Sequence, residues 1–331
     1  MLFNFLIIAI GLILLAFGAD LLVKGATNIA ERFGMPDRIA GLTVCAVGTA
    51  MPEVFVSVTS AIEGHAEVAF GNVIGSCMAN LLLILGLSAA VMPLGLSRRT
   101  QRFEIPVTVI SIGALAFVAN TGAGITFWQG AVLLALFAAF MVATVYEGLK
   151  EGANGHEDID PLDDHGANDA EIEQARARGQ RSNPLIDLVL IAASIALLKF
   201  GADFVVDNAV TVAGGLGIGE RVIGITVVAL GTCLPELVTS VAAAARGNTD
   251  LAVGNIVGSN ITNILLVMGA PALFATVPYP ASYNLDLALL AVFSAGLVAC
   301  AFIGERHTFT RLNGIVYVFC YVVYIVAALL A

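Results

Sequence analysis

Charge is what this chain of 331 residues has least of: Asp, Glu, Lys and Arg make up 12% of it, against 59% hydrophobic residues. Soluble domains carry about twice that charged fraction, because their surface faces water. A water-facing surface is therefore excluded for most of the chain. Basic residues are scarcer still, 15 Lys and Arg against 25 Asp and Glu, for a formal net charge of −10. That balance argues against nucleic acid as a partner, which selects a basic face. The five cysteines, Cys45, Cys77, Cys233, Cys300 and Cys320, include no Cys-x-x-Cys pair. They suggest no disulfide framework and read as small buried hydrophobes. The four histidines, His65, His156, His165 and His307, fall in predicted loops without a metal-ligand spacing. No His-Glu-x-x-His, Ser/Lys or Asp/Asp constellation is present, so hydrolysis within the membrane is the weakest reading and no enzyme activity or cofactor is expected.

What fills the chain instead is apolar sequence, with a mean hydropathy of +0.93. Leu2–Leu22, Val107–Val118, Gly130–Val145, Leu185–Ala202, Leu285–Ile303 and Ile315–Leu330 are nearly free of charge. A spanning helix needs about 20 mainly apolar residues, and with two further motif regions the pattern predicts roughly ten spans. The first run lacks a basic leader and a small-residue cleavage site, and is expected to stay as the first helix. Residues 150–183 break the pattern with nine acidic residues among Gly, Asn and Pro. They read as a solvated linker, and the spacing of an EF-hand Ca²⁺ loop is missing. With both termini outside, every basic residue except Lys199 and Arg221 falls on the cytoplasmic side. The positive-inside rule selects that orientation, with a cytoplasmic linker.

A duplication at a constant offset of 183 residues runs through both halves. Gly18-Ala19-Asp20 returns as Gly201-Ala202-Asp203, and Arg38 returns as Arg221. Gly48-Thr49-Ala50-Met51-Pro52-Glu53 returns as Gly231-Thr232-Cys233-Leu234-Pro235-Glu236. Gly71-Asn72-Val73-Ile74-Gly75-Ser76 returns as Gly254-Asn255-Ile256-Val257-Gly258-Ser259, and Asn80 as Asn263. No gap is needed. The expected fold is all-α and polytopic, with ten transmembrane helices as two inverted five-helix repeats. Residues 1–149 form the first repeat, with its motif at 43–84, and residues 184–331 the second, with its motif at 226–267. An odd number of spans per copy inverts the second copy, and transporters built this way bind ions at the repeat interface near the midplane.

Glu53 and Glu236 fall in mid-span, where a carboxylate costs roughly 2.5–3.5 kcal/mol on insertion scales. A bound cation, a proton or a base must offset that cost, and no Lys or Arg is predicted at their depth. Two facing carboxylates in a dry site favour a shared proton or a divalent cation, and with neutral oxygens around them they suit a hard ion such as Ca²⁺. Helical spacing puts Thr49, Glu53 and Ser57 on one face, and Thr232, Glu236 and Ser240 on another. Ser76 and Asn80, with Ser259 and Asn263, repeat that spacing on the following helices. Pro52 and Pro235 withhold an N–H each, freeing the carbonyls of Gly48 and Gly231. Ser57 and Ser240 also fit a plain role as interhelical glue, and Asp20 and Asp203 are read as structural.

At these motifs the sequence resembles the cation/calcium exchanger superfamily, within it the prokaryotic sodium/calcium exchanger branch, over essentially its whole length. The resemblance implies a central Ca²⁺ site at Glu53 and Glu236 with oxygens from Thr49 and Thr232. It implies Na⁺ sites involving Ser76, Ser259 and the carbonyls of Ala46 and Ala229, with Asn80 and Asn263 in the central polar layer. Three positions depart from the family pattern. Ala50 and Cys233 stand where Ser is usual, deleting a hard oxygen each, and sulfur is a poor ligand for Na⁺. Asn263 stands where potassium-dependent relatives often have Asp.

The expected function is Ca²⁺ efflux coupled to Na⁺ entry by alternating access, in a cell (inner) membrane. Its partners are the ions and the lipid bilayer, and no protein partner is implied. A Ca²⁺/H⁺ antiporter using the same glutamates is the alternative, motivated by the hydroxyls missing at Ala50 and Cys233. A cation channel is the third reading, and the inverted repeat speaks against it.

Overall fold

The computed structural model describes residues 2–32, 46–96, 100–122, 124–153, 183–245, 247, 249–302 and 308–330. Arg38, Cys45, Arg98, Arg99, Arg246, Arg306, His156, His165, His307 and most of the acidic linker lie outside the described residues. Among the described residues, ten helical segments follow in order. The first half holds α1 (Leu2–Arg32), α2 (Ala46–Thr49 continued by Met51–Ile62), α3 (Ala66–Val91), α4 (Thr100–Asn120) and α5 (Phe127–Ala153). The second holds α6 (Pro184–Leu216), α7 (Glu220–Thr232 continued by Leu234–Ala245), α8 (Thr249–Thr262 with its extension Asn263–Val267), α9 (Asn284–Phe302) and α10 (Arg311–Leu330). Eight are long and apolar enough to cross a membrane, and the two parts of α7, bent by 51°, make a ninth span. The α2 pair is the repeat mate of α7 and completes the set of ten.

Local chemistry sets the ends and breaks. Asn183 caps α6 by accepting from the Leu185 N–H at 3.0 Å, with Pro184 in the first turn. The same helix stops at Gly217, whose φ of 67° suits a residue without a Cβ. In α2 and α7 the breaks fall at Ala50 and Cys233, with Pro52 and Pro235 opening the second arms. Broken backbone of this kind persists at membrane depth only when packed in protein. Here it is, because α3 and α8 are the most deeply buried spans and the broken helices lie against them.

The inversion shows in contacts that occur twice. Leu94–Gly95 pairs antiparallel with Thr308–Phe309 at one end of the bundle. Ile125 bridges to Val277, with N–H···O distances of 2.8 and 3.0 Å, at the other end. Val277 is the repeat mate of Leu94 and Thr308 that of Ile125, so one joint recurs on opposite ends within one residue of register. The α1–α6 pair repeats itself too. A Cβ on Gly18 would come within 2.9 Å of Leu198 Cγ, and one on its mate Gly201 within 3.0 Å of Leu15 Cγ, the mate of Leu198. Wide π-type turns follow the motif in both copies, Ala79–Ile84 in α3 and Asn263–Val267 closing α8.

Apolar packing divides into two clusters. One joins α3 and α8 to α4, α9 and α10, and the other joins α1 and α6 to Val56, Val68, Ile223 and Val228. Asp20 and Asp203 each form an exposed ion pair one turn away on their own helix, with Lys24 and Lys199.

The first arm of α7, Glu220–Thr232, lies backbone to backbone on α3. A Cβ on Gly75 would sit 2.7 Å from both Ala229 Cβ and Ile225 Cα. Gly75→Val should therefore force the helices apart, at a cost of at least about 1–3 kcal/mol, and lower the unfolding temperature of the detergent-solubilised protein. Gly113, with nothing within 4 Å of its Cβ position among the described residues, serves as control: Gly113→Ala should leave that temperature unchanged or slightly raised.

Candidate ion-binding site

The candidate site forms where the breaks in α2 and α7 meet α3 and α8. Glu53 opens the second arm of α2 and is 0% exposed, and Glu236, its mate in α7, is 2% exposed. The two carboxylates are within electrostatic reach of one another. Helical spacing alone would put Thr49 beside Glu53, but the break at Ala50 redirects the chain between them. Thr49 instead stands beside Glu236 of the other repeat, and Thr232 with Cys233 beside Glu53. The exchange is reciprocal, as a two-fold axis requires.

Several polar atoms here are buried with no hydrogen-bond partner among the described residues. They are both Glu53 carboxylate oxygens, Glu236 Oε2, Ser76 Oγ, Ser259 Oγ, both side-chain polar atoms of Asn80, and Asn263 Oδ1. Leaving one buried polar group unsatisfied costs about 1–3 kcal/mol, more when it is charged. Most are oxygens, drawn from three pairs of repeat mates. That donor set fits a hard cation of the size and charge of Ca²⁺ or Na⁺.

Other expected members have partners within the protein. Thr232 Oγ1 lies 3.1 Å from Asn72 Oδ1 and 3.2 Å from the Ala229 carbonyl. The Ala229 carbonyl also accepts from the Cys233 N–H at 3.1 Å. Ala46 opens the Ala46–Thr49 turn at the equivalent place in the first repeat. The Cys233 thiol points at the Ser76 carbonyl, 3.8 Å away, and Ala50 is fully buried with no polar atom to offer.

Sequence reasoning missed the asparagines that hold this arrangement. Asn72 Nδ2 donates to the Glu53 carbonyl at 3.1 Å and to Ser57 Oγ at 2.9 Å. In the second repeat Asn255 Nδ2 donates to Ser240 Oγ at 2.9 Å. Ser57 and Ser240 thus tie neighbouring helices together. Both asparagines were visible in the duplicated Gly-Asn-x-x-Gly-Ser motif, and their invariance between copies was the available signal. His65, expected in a loop without a metal-ligand spacing, lies 3.0 Å from Glu220.

Comparison with known proteins places the chain. The family model described as "Sodium/calcium exchanger protein" matches twice, over residues 3–146 and 186–330, once per repeat. The chain is 32% identical to the "Putative antiporter CaxA" of Alkalimonas amylolytica, covering 96% of both chains. It is 31% identical to the "Sodium/calcium exchanger MaX1" of Methanosarcina acetivorans, covering 98% of this chain and 97% of that one. Among solved structures it is similar to the sodium-calcium exchanger NCX_Mj soaked with 10 mM Na⁺ and zero Ca²⁺, with a TM-score of 0.64, 31% identity and 98% of both chains covered.

Proposed function

The chain belongs to the sodium/calcium exchanger family, and from that membership we propose that it carries Ca²⁺ out of the cell in exchange for entering Na⁺, by alternating access. The observation that carries this reading is the set of buried oxygens, without a hydrogen-bond partner among the described residues, that the two repeats supply in mated pairs. Glu53 and Glu236 hold Ca²⁺ between them, with Thr49 and Thr232 adding hydroxyl oxygens. Ser76 and Ser259, with the carbonyls of Ala46 and Ala229, serve Na⁺, and Asn80 and Asn263 line the central layer. The two halves, 1–149 and 184–331, exchange roles between the inward-open and outward-open states. Both termini lie outside and the acidic linker is cytoplasmic, consistent with the distribution of basic residues.

A second reading, Ca²⁺/H⁺ antiport, is favoured by one observation. The positions following Thr49 and Thr232 carry no hydroxyl, and the Cys233 sulfur faces the Ser76 carbonyl. The glutamates would then carry the counter-ion as protons. Radiolabelled Ca²⁺ uptake into proteoliposomes separates the two. Under Na⁺ coupling, an outward Na⁺ gradient drives uptake at constant pH. Uptake indifferent to Na⁺ and driven only by an outward H⁺ gradient would replace it with the second reading.

A further inference from the structure

Asn260, in α8 beside Ser259, plays no part in the site as described so far. It is 1% exposed, and its Oδ1 has no hydrogen-bond partner among the described residues. Its repeat mate is Cys77, and the Cys77 sulfur lies 3.9 Å from the Asn260 backbone carbonyl. A residue can touch its own mate only near the axis that relates the two copies. The Cys77–Asn260 pair therefore sits close to the pseudo-two-fold axis, the same axis that passes between Glu53 and Glu236. The carbonyl of Ser76, next to Cys77, lies 3.8 Å from the Cys233 sulfur at the break of α7, so the pair packs beside the layer of the carboxylates.

The chemistry of the pair is unlike that of its neighbours. Glu53 and Glu236, Thr49 and Thr232, Ser76 and Ser259, and Asn80 and Asn263 are identical mates. Ala50 and Cys233 differ, but neither brings an oxygen. At Asn260 alone among these pairs, the residue nearest the axis carries a hard neutral side-chain oxygen in one half and a thiol in the other. An amide carbonyl buried without a donor is unfavourable unless a cation or its water fills the gap, and amide oxygen is a ligand for Ca²⁺ and Na⁺, whereas a thiol prefers softer ions.

We propose that Asn260 is a further cation-binding residue, whose amide oxygen serves the ion near the axis from the second repeat only. Resting on the antiport reading above, this makes the two access states unequal. A site of identical halves would present the same ligands to either side, and Asn260 breaks that equality.

Equilibrium binding of radiolabelled Ca²⁺ to the purified full chain tests the proposal, with unfolding temperatures measured in the absence of Ca²⁺. Asn260→Leu keeps the volume and removes the amide. It should weaken Ca²⁺ binding at least about tenfold, as expected when one neutral ligand is lost, while the ion-free unfolding temperature holds or rises. Asn260→Ala carries the same expectation should the leucine variant not fold. The exchange Cys77→Asn with Asn260→Cys moves the amide across the axis. It should restore binding to within about threefold and, in proteoliposomes, reverse whichever sidedness of apparent Ca²⁺ affinity the wild type shows. Wild-type affinity in Asn260→Leu, or an ion-free unfolding temperature that falls while affinity is kept, would overturn the proposal and mark Asn260 as packing. A wild-type protein that binds no Ca²⁺ would overturn the antiport reading and this proposal with it.

Discussion

Glu53→Gln is expected to abolish Ca²⁺ transport, and so is Glu236→Gln, each by at least on the order of 100-fold, because Ca²⁺ affinity follows the charge count of its ligands over decades. Glutamine keeps the shape and length of the side chain and removes only the charge. Neither Glu53 carboxylate oxygen has a hydrogen-bond partner of ordinary geometry among the described residues. A buried carboxylate without a counter-charge is also unfavourable, and its neutral replacement relieves that cost. The two effects therefore have opposite signs. Transport falls, while the unfolding temperature of the ion-free protein stays level or rises. Radiolabelled uptake and thermal unfolding on the same preparation measure both. A parallel loss of stability would instead assign the glutamates to the fold.

Arg221→Ala should destabilise the protein by about 3–5 kcal/mol, the cost of leaving one partner of a buried ion pair uncompensated. Arg221 Nη2 lies 2.6 Å from Asp286 Oδ2, with the side chains 19% and 2% exposed. The guanidinium also stands 5.3 Å from the centre of the Tyr283 ring, and the Tyr283 hydroxyl donates to the Glu67 carbonyl at 2.6 Å. The Arg221 N–H reaches Glu67 Oε2 at 3.3 Å. These contacts fasten the start of α7 to α3 and α9. Removing arginine strands the Asp286 carboxylate in a buried place, whereas Arg221→Leu with Asp286→Leu removes both charges. The double variant should recover most of the loss, and thermal unfolding of the three proteins measures it. A double variant as unstable as Arg221→Ala would show that the pair acts through something other than charge compensation.

Much of this architecture could be read from the residue order. Apolar runs of spanning length gave the helices, and an ungapped repeat with an odd number of spans per copy gave the inversion. Pro52 and Pro235 marked the breaks, and Glu53 and Glu236 pointed to the candidate site, because a mid-span carboxylate needs a reason. What could not be read depends on direction rather than spacing. The i,i+4 rule placed Thr49 on the same face as Glu53, but the rule holds only for a continuous helix, and the break hands Thr49 to Glu236. Arg221 was legible as the mate of Arg38, yet its partner Asp286 has Phe103 as mate, so no repeat pattern announced the ion pair. Asn260 was hidden for the same reason, since its mate is a cysteine. Asn72 and Asn255 were in plain view as motif residues, but which groups they clamp depends on helix packing.

The most direct test of the central claim is Ca²⁺ counterflow in proteoliposomes loaded with unlabelled Ca²⁺ and given a trace of labelled Ca²⁺ outside. An antiporter built around Glu53 and Glu236 should accumulate label transiently, as internal Ca²⁺ drives entry through the same site, and should lose that accumulation in either glutamine variant. Label that merely equilibrates without trans-stimulation, or accumulation that survives in both variants, would contradict it.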